Sequence, residues 1–358
     1  MRIAYTLEQC WHRVPGGTGI AAIEAGRELT AIPDLEMVGV AGRHMRPPTP
    51  GFAPPMKVAA LPLGGPILYE AWLRLGWPKV ESVVEGARLV HATTIIAPAT
   101  SLPLVATIHD LAFVRHPEFF TDHGNKVFNK SVKILREKAS MVLCSSQSTV
   151  DDCVTAGFET SRLRHVPLGV TIHTVTENDR VRVRDAYSLP SEFILFVGTL
   201  EPRKNLARLI EALASMHDAP PLVIVGMEGW GETAISTTHD VRFTGFVPAH
   251  DLPAFYNMCS VFAFPSVLEG YGLPVIEAMA QGAPVVTSRG TSTEEVAGGA
   301  AVLIDPLDVA SIADGISQAL ANTDSLSKQG VARAHACTWE HTAALTAQIY
   351  REVLGGTQ

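Results

Sequence analysis

The chain has 358 residues, 47% of them hydrophobic and 18% charged, a composition that excludes a disordered protein and has room for two α/β domains. A formal net charge of −8 excludes a nucleic-acid binder, which needs clustered Lys and Arg to neutralise phosphates. Up to Val170 there are 17 Lys and Arg against 15 Asp and Glu, and beyond it 11 against 21, so a diphosphate site in the acidic second half must place its few cations with care.

Strands are expected at Ile3–Tyr5, Met37–Val40, Leu89–His91, Leu104–Ile108 and Met141–Cys144, alternating with helices as in a parallel sheet. A helix carrying Ile20, Ile23 and Leu29 follows a glycine-rich turn at Gly16–Gly19, and Pro47–Pro55 is a loop. Pro66–Val84 holds Ile67, Leu68, Trp72, Leu73, Leu75 and Trp77. It is read as a packed helix plus a loop rather than a membrane surface, because only Arg74 and Lys79 are basic there, although both tryptophans look exposed. Val166–Pro190 links this series to a second one. Its strands are Phe193–Val197, Leu222–Val225, Val261–Phe264, Pro284–Thr287 and Ala301–Ile304, with an amphipathic helix over 205–216. Trp339–Leu354 is a last amphipathic helix.

Thr93–Ile108, the most apolar stretch, is broken by Pro98 and Pro103 and is no transmembrane helix. Cys10, Cys144, Cys153, Cys259 and Cys337 are widely spaced, with no C-x-x-C pair. With MRIAYTLEQC reading as a strand rather than a signal peptide, they suggest reduced thiols in a cytoplasmic protein. No Asp-x-Asp triplet occurs, so no metal clamp on a diphosphate and no other cofactor is expected.

In open parallel sheets ligands bind at the carboxyl ends of strands, and two loops there carry candidate chemistry. In the first, from Gly198 to Asn205, Gly198 turns the chain and Arg203 and Lys204 follow at the strand tip, a ready diphosphate site beside a helix N-terminus. A solvated basic turn is the bland alternative. The second runs from Pro265 to Pro274 before a helix at Val275–Gln281. Gly270 and Gly272, flanking Tyr271, permit close backbone approach to a ligand. Glu269 in the loop and Glu277 in the first helical turn can accept hydrogen bonds from sugar or ribose hydroxyls. Glu277 alone reads as an ordinary first-turn acid.

The string SVLEGYGLPVIEAMAQGAPVV, with its Glu-x7-Glu spacing, and the string VGTLEPRKN together resemble glycosyltransferase family 4, retaining enzymes of the GT-B fold. LVIVGMEGWGE, RFTGFVPAHDLPAFY and EEVAGGAAVLIDPLD follow in the family's order, so the resemblance covers nearly all of 193–308. It implies two Rossmann-like doubly wound domains facing a central cleft. Residues 1–170 would bind the acceptor, 171–338 the nucleotide sugar, and 339–358 would pack back on the first domain, with closure about a hinge near Gly169 and Thr338.

By the same resemblance, Arg203 and Lys204 grip the donor diphosphate, Glu277 binds the ribose, and Glu269 holds the donor sugar with amides near Gly272 and Leu273. The base lies between the Gly226 loop and Phe246–Val247. His109, in Thr107-Ile108-His109-Asp110, sits beside the donor sugar. Gly16, Gly17 and Gly19 approach the diphosphate or acceptor, though Ala21 and Ala22 replace the basic or aromatic residue usual after them.

The implied activity is metal-independent, front-face transfer of a hexose with retention. The donor would be GDP-mannose or UDP-glucose, mannose slightly favoured, and the acceptor a sugar, lipid-linked or small-molecule hydroxyl. A nucleotide-sugar epimerase of similar fold and a catalytically silent subunit of a transferase are the rival readings.

Overall fold

The computed structural model describes residues 1–226 and 238–355. The chain forms two compact units, Met1–Gly169 with Trp339–Gln358, and Val170–Thr338.

The first unit is built on a parallel sheet of seven strands: β1 (Arg2–Thr6), β2 (Glu36–Gly42), β3 (Val58–Leu61), β4 (Leu89–Ala92), β5 (Leu104–Ile108), β6 (Met141–Cys144) and β7 (Leu163–His165), in the order β3-β2-β1-β4-β5-β6-β7. Alternate residues point to opposite faces of a strand. Thus Ala4, Val40, Val90 and Ala106 meet Leu68 and Trp72 of helix Gly65–Leu75 and Val132 and Leu135 of helix Asp122–Lys138. On the opposite face Ile3, Tyr5, Leu89 and Val105 meet Ala22, Ile23 and Leu29 of helix Gly16–Thr30 and Ala343, Ala347 and Tyr350 of helix Trp339–Val353. The C-terminal helix is therefore part of this unit's core.

Two expectations in this unit are corrected. Gly16–Gly19 is the first turn of helix Gly16–Thr30 itself, not a turn preceding it, because Pro15, whose fixed φ suits a helix start, caps the helix and accepts from Gly19 N–H at 3.2 Å. Trp72 is buried in the core, its indole N–H donating to Pro78 O at 2.8 Å, while Trp77 is 52% exposed.

The second unit carries β8 (Ile194–Val197), β9 (Leu222–Val225), β10 (Val241–Gly245), β11 (Val261–Phe264), β12 (Val285–Ser288) and β13 (Val302–Ile304), all parallel, in the order β10-β9-β8-β11-β12-β13. Leu206, Leu209, Ile210 and Leu213 of helix Leu206–Ser215 pack on one face with Ile312 and Ile316. The strand order reverses between β8 and β11, which pair Ile194 with Val261 and Leu195 with Phe262. Neighbouring helices leave a reversal point on opposite faces, which opens a crevice at the carboxyl ends of those two strands. The loops that follow β8 and β11 are the two singled out from the sequence.

Candidate functional site

The loop after β8 is fastened before it reaches its cations. Gly198 N–H donates to Val225 O at 2.9 Å, and a single 3-10 turn spans Pro202–Lys204. Asn205 sits at φ +60°, a left-handed conformation that Asn tolerates better than most residues, and its amide donates to Pro265 O (3.0 Å) and Pro306 O (2.5 Å). Val267 N–H donates to Arg203 O at 2.9 Å. The loops after β8 and β11 are thus tied by backbone and by one amide, and sequence reasoning had passed over Asn205.

Arg203 and Lys204 do not project freely from the strand tip. Lys204 Nζ lies 2.6 Å from Glu269 Oε1 with its side chain only 8% exposed, and 4.6 Å above the Phe264 ring. Arg203 bridges two carboxylates, Nε to Glu201 Oε2 at 2.7 Å and Nη1 to Glu269 Oε2 at 2.9 Å, and donates to Leu268 O at 3.2 Å. Glu201, also not singled out from the sequence, is locked in turn by the Thr199 hydroxyl at 2.5 Å.

Burial alone would raise the Glu269 carboxyl, but the charges of Arg203 and Lys204 outweigh it and hold the group at about 2. Burial lowers Lys204, and Arg203 adds to that, while Glu269 works against it. Two cations and two carboxylates form one nearly closed network, preorganised so that a bound anion meets fixed charge. Arg203, with 22% of its side chain exposed, is its most accessible member.

Around this network the backbone is kept bare. A Cβ on Gly226, at the end of β9, would lie 1.9 Å from Gly198 O. Gly226→Ala is therefore expected to push these strand ends apart and cost several kcal/mol, as overpacking against backbone does. A urea melt unchanged from wild type would refute this. Gly272, at φ +106°, begins helix Leu273–Ala280, and a Cβ there would meet Thr293 Cγ2 at 2.8 Å. Gly270, Tyr271 and Leu273 are buried beside it, and Ser292 Oγ donates to Glu269 O at 2.8 Å.

Glu277 lies in the second turn of that helix rather than the first, because the helix starts at Leu273 instead of Val275. Burial raises its carboxyl, moderated by the Tyr256 hydroxyl, which donates to Oε2 at 3.1 Å. Gly226 N–H donates to Gly245 O at 3.0 Å, which brings the Phe246–Val247 segment alongside. The Phe246 ring is 67% exposed and Val247 is buried. The rest of the loop after Gly226, through residue 237, lies outside the described residues.

In the first unit His109 follows β5. Its carbonyl accepts from Ser145 Oγ (3.2 Å) and Thr149 Oγ1 (2.9 Å). Burial lowers its imidazole and favours the neutral ring, partly offset by Asp110 and by a hydrogen bond to the Thr93 backbone. His109, His91, Thr93 and Thr107 line a cavity of about 30 Å³ together with Ala21 and Ala22, so the alanines that depart from the family pattern leave open space beside this histidine. Gly16 and Gly17 are exposed at the helix start. Gly19 is explained by packing, since a Cβ there would lie 2.7 Å from Pro15 Cβ.

Two doubly wound units, one with a crevice of paired cations and carboxylates at its strand ends, define an α/β architecture of paired parallel sheets, and comparison with known proteins narrows it. HepE of Anabaena, in its crystal structure with UDP and glucose, superposes with a TM-score of 0.76 over 98% of this chain and 100% of its own, at 18% identity. The fold is the GT-B fold.

The glycosyl transferases group 1 family model matches residues 180–334. The O-antigen chain mannosyltransferase B of Escherichia coli is 30% identical over 288 residues, 74% of each chain. The serotype-specific mannosyltransferase WbdA of the same species is 29% identical over 289 residues, 74% of this chain but 36% of WbdA, so the chain spans little more than a third of that protein. The chain belongs to the glycosyl transferases group 1 family, and it is a glycosyltransferase.

Proposed function

We propose that the enzyme moves a hexose, mannose in preference to glucose, from a nucleoside-diphosphate sugar to an acceptor hydroxyl with retention of anomeric configuration and without a metal ion. The observation that carries this reading is the Arg203–Lys204–Glu269 network, two cations fixed at the strand ends where the strand order reverses. As the bond from the anomeric carbon to the β-phosphate oxygen breaks, negative charge grows on the leaving diphosphate, and fixed cations act there without reorganising. The acceptor oxygen bonds to the anomeric carbon on the face the diphosphate leaves, and its proton passes to a phosphate oxygen. Glu269, kept ionised by its two partners, accepts hydrogen bonds from sugar hydroxyls, and Glu277 does the same for the ribose. The exposed Phe246 ring offers the base a stacking surface. His109, in the first unit, acts as a neutral imidazole towards a sugar hydroxyl. GDP-mannose is favoured over UDP-glucose as donor because the two relatives reported above are mannosyltransferases.

A thermal-shift screen against GDP, GDP-mannose, UDP and UDP-glucose, with EDTA and with magnesium, tests the donor. A ligand at 100 times its Kd stabilises by about 2.7 kcal/mol, a rise of several degrees for a domain of this size. The expected result is a rise with GDP and GDP-mannose that survives EDTA. A rise that requires magnesium, or one confined to UDP compounds, overturns the corresponding part. A product anomer opposite to that of the donor, read from the one-bond C1–H1 coupling, sinks the front-face step.

A further inference from the structure

We propose, resting on the role given above to His109, that Gln9 is a positioning residue for the transfer: it fixes Thr93 so that the Thr93 carbonyl orients the His109 imidazole. Gln9 lies in a 3-10 turn, Glu8–Trp11, at the carboxyl end of β1. The strand order of the first sheet reverses between β1 and β4, so this turn stands at that sheet's own reversal point.

The turn is fastened on its β2 side without Gln9. Leu7 N–H donates to Val40 O at 2.8 Å, and Trp11 Nε1 donates to Arg46 O at 3.0 Å. The buried Glu8 carboxylate accepts from Gly42 N–H (2.5 Å) and Gly65 N–H (2.6 Å). Gln9 reaches the other way. It is 1% exposed, and its Nε2 donates to Thr93 Oγ1 at 2.7 Å, just beyond β4. An apolar side chain would fill this space without the cost of burying an amide, so the donated hydrogen bond needs a purpose beyond fastening.

Thr93 supplies that purpose. Its N–H donates to Thr6 Oγ1 at 3.1 Å, and its hydroxyl donates to Thr6 O at 2.6 Å while accepting from Gln9. The carbonyl remains, and His109 hydrogen-bonds to the Thr93 backbone. With the Thr93 N–H committed to Thr6, the partner is the carbonyl, and the bond works against burial by raising the ring, as an accepting carbonyl does. The imidazole nitrogen facing Thr93 therefore carries the proton of the neutral ring, and the other nitrogen presents its lone pair. His91, which lines the same cavity, does not compete, because its two nitrogens are engaged by the hydroxyls of Tyr350 (2.5 Å) and Thr107 (2.8 Å). A sugar hydroxyl thus meets a fixed acceptor rather than a ring free to turn over, and a group of this kind loses rate steeply when it is misplaced.

The first test reads the ring directly. Long-range proton–nitrogen correlation spectra of the full chain, isotope-labelled at histidine nitrogen, identify the His109 signals by their loss in His109→Ala. They should show a single neutral tautomer in wild type and a mixture of both in Gln9→Met, which keeps the side chain's length and removes the donor. The second is GDP-mannose hydrolysis, with water standing in for the acceptor. Gln9→Met should lower kcat about tenfold with KM within about twofold. In a His109→Ala background the same substitution should cost less than about twofold, because it acts only through His109. Thr93→Ser, which keeps hydroxyl and carbonyl, should match wild type in both readouts. If Gln9→Met misfolds by far-UV circular dichroism, Thr93→Val takes its place. A mixed tautomer in wild type, an unchanged tautomer in Gln9→Met, or rate losses that add in the double variant would each overturn the proposal while leaving the role of His109 intact. A kcat of wild-type size in His109→Ala would instead overturn the reading of His109, and the proposal with it.

Discussion

Glu269→Ala is expected to cost the second unit about 3 to 5 kcal/mol and to lower kcat at least a hundredfold. Lys204 Nζ is 8% exposed and has Glu269 as its close carboxylate, so without it a buried ammonium is left over the Phe264 ring with Arg203 as a like-charged neighbour. The wild-type carboxyl is held at about 2, against an ordinary 4.5. A folded value below the unfolded one gives stability that is complete above 4.5 and is lost as pH falls towards 2. A depression of that size corresponds to about 3 kcal/mol, which agrees with the cost of breaking a buried pair. Urea unfolding at pH 7 and at pH 3.5 tests both statements: the gap between wild type and Glu269→Ala should be wide at pH 7 and narrower at pH 3.5. Equal stability at pH 7, or a gap that widens in acid, would show that the network does not hold the loop. Glu269→Gln, which keeps the shape and loses the charge, should resemble Ala in kcat more closely than in stability.

The strands that stand out most plainly in the sequence are those buried on both faces. Ile194–Val197, Leu222–Val225 and Val261–Phe264 are unbroken apolar runs, as strands in the middle of a parallel sheet must be. The strands that sequence reasoning did not single out, Val58–Leu61, Leu163–His165 and Val241–Gly245, are three of the four outermost strands, where one side has no neighbour and polar or half-exposed residues are tolerated. The fourth, Val302–Ile304, was found because its three residues are all apolar. The same limit applied at the site. Arg203, Lys204 and Glu269 were legible as residue types in strand-end loops, but their mutual pairing spans 65 residues and follows only from the adjacency of β8 and β11. Glu201 and Asn205 lacked a signal because a carboxylate and an amide beside two cations read as solvated polarity. Their burial depends on the loop after β11 closing over them.

Arg203→Ala is expected to reduce kcat by a hundred- to a thousandfold, about 3 to 4 kcal/mol of transition-state stabilisation. The side chain is 22% exposed, so its loss leaves a site that water can reach rather than a sealed void. The electrostatic consequence is larger. Arg203 and Lys204 balance Glu201 and Glu269, and without the guanidinium two carboxylates face one ammonium, so the site turns net negative towards a diphosphate. Ground-state binding and transition-state stabilisation should both suffer, the second more, because charge on the leaving phosphate grows as the glycosidic bond breaks. Arg203→Lys should not restore activity, since one ammonium cannot reproduce Nε on Glu201 with Nη1 on Glu269 and Leu268 O. Initial-rate kinetics with a saturating acceptor separate the outcomes. A kcat within fivefold of wild type in Arg203→Ala would remove this residue from the chemical step and leave Lys204 as the only cation acting on the leaving group. A raised KM with kcat unchanged would make Arg203 a binding residue alone.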